Sequence, residues 1–93
     1  MTAYKKYIIG EVLDNDTDQR STKFGYRVGR ECFIVNLEID SPMVVKYPDG
    51  KMFYTSVVKE IDENEYGLWI VTNNRTYRFD DMILINELIK IDV

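Results

Sequence analysis

At 93 residues, 45% hydrophobic and 13% aromatic, the chain has the size and composition of one small globular domain, which excludes a two-domain protein and a disordered segment. A net charge of -4 excludes a protein that coats nucleic acid or anionic membrane non-specifically, because such binding needs cations to displace counterions, and leaves room only for a local basic patch. Histidine is absent and there is no phosphate-cradling glycine loop, so a non-enzymatic protein with no catalytic residue, metal or other cofactor is expected.

Residues Met1 to Lys6 lead into a strand over Tyr7 to Leu13, with Tyr7, Ile9 and Leu13 inward and Gly10 marking a bulge. The Tyr7-Ile8-Ile9 cluster is too short, and the stretch from Met82 to Ile91 too interrupted, to cross a bilayer, so neither a secretory signal nor a membrane partner is expected. From Asp14 to Lys23 every residue is polar, which predicts an exposed and mobile loop with nothing to bury. Phe24, Tyr26 and Val28 alternate as the core side of a short strand, Gly29-Arg30 turns, and Cys32 to Ile39 places Phe33, Val35, Leu37 and Ile39 on one face. Cys32 is the only cysteine, and a lone strand thiol points to a reducing cytoplasm.

Asp40-Ser41-Pro42 breaks that strand, because proline lacks the donor a central strand needs. Met43 to Tyr47 forms the next one, and Tyr47-Pro48-Asp49-Gly50-Lys51 carries the residue order of a type I turn with a glycine bulge. A meander follows: Met52 to Ile61, Leu68 to Thr72 and Arg75 to Phe79, joined by a polar loop over residues 62–67 and an Asn73-Asn74 turn. Asparagine suits that turn because it tolerates the positive φ of tight hairpins. The turn sets Val71 opposite Thr76, Ile70 opposite Tyr77, Trp69 opposite Arg78 and Leu68 opposite Phe79. Leu68, Ile70, Tyr77 and Phe79 then share the core face, and Trp69 lies beside Arg78 on the other.

Asp80-Asp81 either caps a helical turn through Met82 to Leu88 or precedes a closing strand at Leu88 to Val93, which the alternation of Ile83, Ile85, Ile89, Ile91 and Val93 favours. Six or seven short strands make the fold all-β: a small antiparallel barrel, SH3-like or OB-like, or two packed sheets.

Asp14-Asn15-Asp16-Thr17-Asp18 opens like an EF-hand calcium loop, but Gln19 stands where glycine is required and Gly25 where the bidentate glutamate belongs, so an acidic loop without metal is expected. The pairs Asp80-Asp81 and Glu60 with Asp62 are the carboxylates that acid-base chemistry would need; adjacent acids in small domains are ordinarily solvated turns.

Two binding surfaces compete. Trp69 and Arg78 form either a cross-strand cation-π pair, worth on the order of 0.5 to 1 kcal/mol, or a hot spot extended by Tyr54 and Tyr66, unless a second sheet covers them as core. Acidic residues Glu60, Asp62, Glu63, Glu65, Asp80 and Asp81 gather near these tyrosines if the strand ends lie together, and such a surface suits a basic groove on a nucleic-acid-binding host protein. The first expectation is therefore a protein-interaction module using Trp69, Arg78, Tyr66, Tyr54, Glu63 and Glu65. The alternative is a barrel binding single-stranded nucleic acid through Lys23, Tyr26, Arg27 and Arg30, whose own competing reading is a solvated charged face. Homo-oligomerisation through Ile83 to Val93 is compatible with either.

The span from Tyr54 to Ile61, the acidic loop, and Gly67-Leu68-Trp69-Ile70-Val71-Thr72-Asn73-Asn74-Arg75-Thr76-Tyr77-Arg78-Phe79 resembles a hairpin pattern of short phage and mobile-element proteins from low-GC Gram-positive bacteria. The resemblance implies a cytoplasmic, non-enzymatic protein of a phage or integrated element, in a class that includes inhibitors of bacterial defence systems. It carries no functional residue over to this chain.

Overall fold

Seven antiparallel strands form one sheet whose hydrogen bonding closes on itself, in a computed structural model that describes residues 5–82. The strands are β1 (Lys6–Asp14), β2 (Gln19–Arg20), β3 (Glu31–Asn36), β4 (Pro42–Lys46), β5 (Met52–Asn64), β6 (Gly67–Thr72) and β7 (Arg75–Asp81). Their order is β2-β1-β3-β4-β5-β6-β7, and β1 also pairs with β7 from Tyr7 opposite Asp81 to Asp14 opposite Arg75, which closes the ring. The fold is thus all-β and barrel-like, a single closed sheet and not two separate ones. The two alternatives for the C-terminal stretch, a helical turn through Met82 to Leu88 and a closing strand at Leu88 to Val93, lie outside the described residues save for Met82 itself, as does the tail from Ile83 to Val93 compatible with homo-oligomerisation.

The meander carries the core. Leu68, Ile70, Tyr77 and Phe79 are buried on the inner face, and the β6–β7 register has Leu68 opposite Phe79, Trp69 opposite Arg78, Ile70 opposite Tyr77 and Val71 opposite Thr76. The turn that sets this register works differently from expectation. Neither Asn73 nor Asn74 adopts positive φ. Instead the Thr72 hydroxyl accepts from the Arg75 amide at 3.1 Å and donates to the Arg75 carbonyl at 2.9 Å, so a side chain replaces the last ladder pair. The loop before β6 is also shorter than expected. β5 runs to Asn64, and Asn64 Oδ1 accepts from the amides of Tyr66 and Gly67 at 2.8 and 3.2 Å, leaving a tight turn at Glu65-Tyr66.

In β1 the bulge falls between Ile9 and Glu11, around Gly10. The extra residue reverses the inward phase, so Tyr7, Ile9 and then Val12 are buried while Leu13, expected inward, is only half-buried. A side chain at Gly10 would meet the Asp80 carboxylate and the Arg78 guanidinium. The polar run does not stay outside entirely. Gln19 and Arg20 pair with Asp14 and Leu13, and Ser21 is buried, its hydroxyl accepting from the Phe24 amide at 3.1 Å.

Two further expectations are corrected. Phe24 to Val28 is not a strand: Gly25–Arg27 is a 3-10 turn, with Tyr26 63% and Val28 45% exposed and Arg27 buried in their place. In β3 it is Cys32 that is fully buried, with Ile34 and Leu37 packed against the core; Phe33 and Val35 are half-buried on the other phase and Ile39 is exposed. Cys32-Phe33-Ile34-Val35 is apolar on both phases, so its own pattern cannot choose an inside. Pairing chooses it, because Cys32 stands opposite inward Tyr7 and Ile34 opposite inward Val45.

The β4–β5 turn follows expectation. Gly50 has φ +93, its amide donates to the Tyr47 carbonyl at 3.0 Å, and the Tyr47 amide donates to the Lys51 carbonyl at 2.8 Å. Asp80 and Asp81 are strand residues of β7, and Asp81 is buried and ion-paired with Lys5. Through the core runs an aromatic column, Tyr47–Phe53–Tyr77–Phe79–Tyr7, with successive ring centroids 5.6 to 6.2 Å apart.

Candidate functional site

Two surfaces hold the residues singled out from the sequence. The first is the far half of β5 and the hairpin it forms with β6. The last pair between β4 and β5 is Pro42 with Val57, and backbone bonds to Ser41 and Asp40 take up Val58. Beyond that point β5 continues for six residues, 59–64, every one exposed, bonded to β6 on one side and to no described strand on the other. The two phases differ in chemistry. Ile61 and Glu63 stand opposite the buried Ile70 and Leu68, whereas Glu60 and Asp62 stand opposite the half-buried Val71 and Trp69. Glu60, Asp62, Glu63 and Glu65 make no ion pair among the described residues. This is an acidic sheet edge ending in the exposed ring of Tyr66.

Beside Tyr66, a shallow depression of about 190 Å³ is lined by Asn64, Leu68, Trp69, Arg78 and Asp80 among others. Trp69 is half-buried here, with Asp62 on one flank and Arg78 on the other. The expected cation-π pair is not formed. Arg78 reaches the Asp80 carboxylate with Nε at 3.0 Å and Nη2 at 3.3 Å, and Glu11 with Nη1 at 3.4 Å, so its fork is occupied by two acids. Glu11 in turn faces Arg20 at 3.9 Å. Tyr54 does not join this group. It lies eight residues back along β5, roughly 26 Å of extended chain, opposite Val44 and 67% exposed.

The second surface is built by the 3-10 turn and the β4–β5 turn. Arg27 is drawn under the sheet rim, its guanidinium 3.8 Å from the Phe53 ring centre and 4.2 Å from that of Phe24, and Nη1 donates to the Tyr77 hydroxyl at 3.1 Å. Arg30 lies 3.8 Å from the Tyr47 ring centre. Arg75 covers Phe24 at 4.3 Å and pairs with Asp14 at 3.1 Å, and Lys23 sits 5.3 Å from the same ring. Lys23, Tyr26, Arg27 and Arg30 are therefore brought together, but around rings and not along one solvated strand. The participation of Tyr47, Phe53 and Arg75 has no signature in the sequence, since each is far along the chain from this turn.

Asp14 and Asn15, the first two positions of the calcium-like run, are engaged elsewhere: Asp14 by Arg75, and the Asn15 Oδ1 by the Thr76 hydroxyl at 2.7 Å. Among the described residues no group of three or more acids, cysteines or histidines is placed to hold a metal ion, and no helix is long and apolar enough to cross a membrane.

Burial raises the Cys32 thiol from its ordinary 9.0 to about 12, and it also raises the phenols of Tyr7, Tyr47 and Tyr77. Unfolded thiols ionise above pH 9.0 and folded Cys32 stays protonated up to about 12. Over that window the native state binds more protons than the unfolded one, so stability falls as pH rises. Denaturant midpoints are expected to be flat near neutrality and to drop between pH 9 and 12. Native Cys32 is expected to resist a thiol reagent at pH 8 until the protein is unfolded.

The chain matches no protein-family model, no curated protein and no solved structure.

Proposed function

We propose that this protein is a non-enzymatic protein-interaction module that binds its partner along the open edge of β5, in the manner of a phage-type inhibitor or regulator acting in a bacterial cytoplasm. The observation that carries the reading is that β5 outruns β4 by residues 59–64, leaving one row of strand backbone, flanked by Glu60, Asp62, Glu63 and Glu65, that pairs with no described strand. An extended segment can add to such an edge as a further strand, with main-chain hydrogen bonds supplying affinity. The unpaired carboxylates select for lysine and arginine on that segment and speed its encounter. Tyr66 and Trp69 at the hairpin end provide the aromatic anchor that interfaces favour. A basic segment of a nucleic-acid-binding host protein has this chemistry.

The test is affinity capture from a Gram-positive lysate with and without nuclease, comparing the native protein with the triple variant Glu60→Lys, Asp62→Lys, Glu63→Lys. All three side chains are exposed and make no ion pair among the described residues, so the variant is expected to fold. One protein retained despite nuclease, and weakened by about tenfold or more in the variant, is the expected result. Equal retention by both proteins, or a set of proteins that disappears with nuclease, refutes the reading.

A further inference from the structure

The basic surface contains something a merely solvated charged face does not. The chain has more acids than bases, 16 against 12, and three of its arginines are met by carboxylates: Arg20 by Glu11, Arg75 by Asp14, and Arg78 by Glu11 and Asp80. Arg27 and Arg30 have no carboxylate within ion-pair distance among the described residues. Both are instead held by aromatic rings, Arg27 by Phe24 and Phe53 and Arg30 by Tyr47. The only two buried side-chain polar atoms without a hydrogen-bond partner among the described residues are Nε of Arg27 and the hydroxyl of Tyr47, on side chains 8% and 6% exposed. They belong to one cluster: Arg27 lies on the Phe53 ring, that ring is 5.6 Å from the Tyr47 ring, and Arg30 lies on Tyr47.

We propose that Arg27, Arg30 and Tyr47 form a phosphate site and that Tyr26 beside them stacks a base, so that the cluster holds single-stranded nucleic acid. Stacking on Tyr47 covers the face of the half-buried Arg30 guanidinium and leaves its edge, where the donors lie, for the two parallel hydrogen bonds that phosphate oxygens accept. A cation buried without a counter-ion costs stability unless something pairs with it. Arg27 Nε and the Tyr47 hydroxyl are covered as well as unpartnered, so a phosphate on Arg30 would meet them through a shift of the 3-10 turn, and pairing there would offset that cost. Tyr26 is 63% exposed, next to Arg27 in the chain, with its ring centre 5.7 Å from that guanidinium. A base on that ring would thus lie one residue from a cation, the alternation of stacking and charge that unpaired strands require. Lys23 adds a further cation at the Phe24 ring. The site is separate from the β5 edge and stands or falls independently of it.

The test is a titration of the full chain at low salt with inorganic phosphate, a nucleoside 5′-monophosphate, a short single-stranded oligonucleotide and the matching duplex. Amide shifts at Tyr26, Arg27 and Arg30 would locate any binding. Two variants suffice, Tyr26→Ala at an exposed ring and Arg30→Gln, both expected to fold. The expected result is single-strand binding that weakens with salt, falls about 5- to 100-fold in Tyr26→Ala, the loss of one stacked base, and falls in Arg30→Gln with a shallower salt slope. No shift with any probe overturns the proposal. So does phosphate alone binding as tightly as the oligonucleotide, duplex binding as tightly as single strand, or Arg30→Gln binding like the native chain.

Discussion

Replacing Gly67 with alanine is expected to cost roughly 3 kcal/mol or more, a large share of the 5 to 15 kcal/mol that holds a typical small domain together. A Cβ on Gly67 would run into the carbonyl oxygen of Phe79, and at φ +154 the backbone is one that side chains seldom adopt. Neither partner can retreat. Gly67 is paired with Asp80 across the β6–β7 ladder and with Asn64 across the β5–β6 turn, while Phe79 is paired on its other side with Ile9 of β1. Relief of the clash would have to open a strand of a closed ring. Gly25→Ala is the matched control, because a side chain there meets no atom within 4 Å and φ is not positive; it should stay within about 0.5 kcal/mol of the native chain. Urea unfolding followed by Trp69 fluorescence measures both, and a Gly67→Ala midpoint equal to the native one would show that the β6–β7 contact is looser than described.

The second large effect separates core from surface within one hairpin. Phe79→Ala should cost about 3 to 5 kcal/mol, because Phe79 is wholly buried between Tyr7 and Tyr77 in the aromatic column and its removal leaves a cavity that a closed barrel fills poorly. Trp69, one position away on the same ladder and larger, should cost only about 1 kcal/mol when changed to alanine, since half-burial on the outer face leaves less apolar area to lose. The two variants should invert in partner capture. Trp69→Ala is expected to fold and bind poorly, whereas Phe79→Ala is expected to lose binding only in proportion to the unfolded fraction, as read by circular dichroism and capture side by side. Equal destabilisation by both would assign Trp69 to the core and remove it from the interface.

The acidic edge and the basic cluster make the molecule electrically divided despite its modest net charge. Carboxylates at Glu60, Asp62, Glu63 and Glu65 lie along one hairpin, and Arg27 and Arg30 lie with Lys23 at another turn, none of them neutralised by a described partner. A protein that engages a nucleic-acid-binding partner and an unpaired strand at once would need such a separation, because the two ligands carry opposite charge.

How much of this was legible beforehand divides along the range of the contacts involved. The β6–β7 pairing, its register and its four core residues could be read directly, because β7 alternates Tyr77 and Phe79 with Thr76 and Arg78 and the two-residue turn carries that phase over to β6, which is apolar on both. The Tyr47-to-Lys51 turn and the bulge at Gly10 were equally local, written in the residues that make them. The full length of β5 was not: the break at Asp40 to Pro42, where β4 begins, was expected, but Asp62 to Asn64 read as loop and are strand because they pair with Trp69, Leu68 and Gly67.

What the amino-acid sequence determined by itself, then, was an all-β chain, its meander and the absence of histidine chemistry, because short-range alternation and composition suffice for these. Tertiary structure alone decided which face of β3 is inside, that Arg27 rather than Tyr26 is buried, and that Arg78 turns to Asp80 and Glu11 rather than to Trp69. For β3 and Arg27 the deciding partners are remote along the chain, Tyr7 and Val45 for β3 and Phe53 and Tyr77 for Arg27, while Arg78 is held between Asp80 two residues on and Glu11 of β1. A side chain's fate follows the neighbours it meets, and periodicity describes only the neighbours it is joined to.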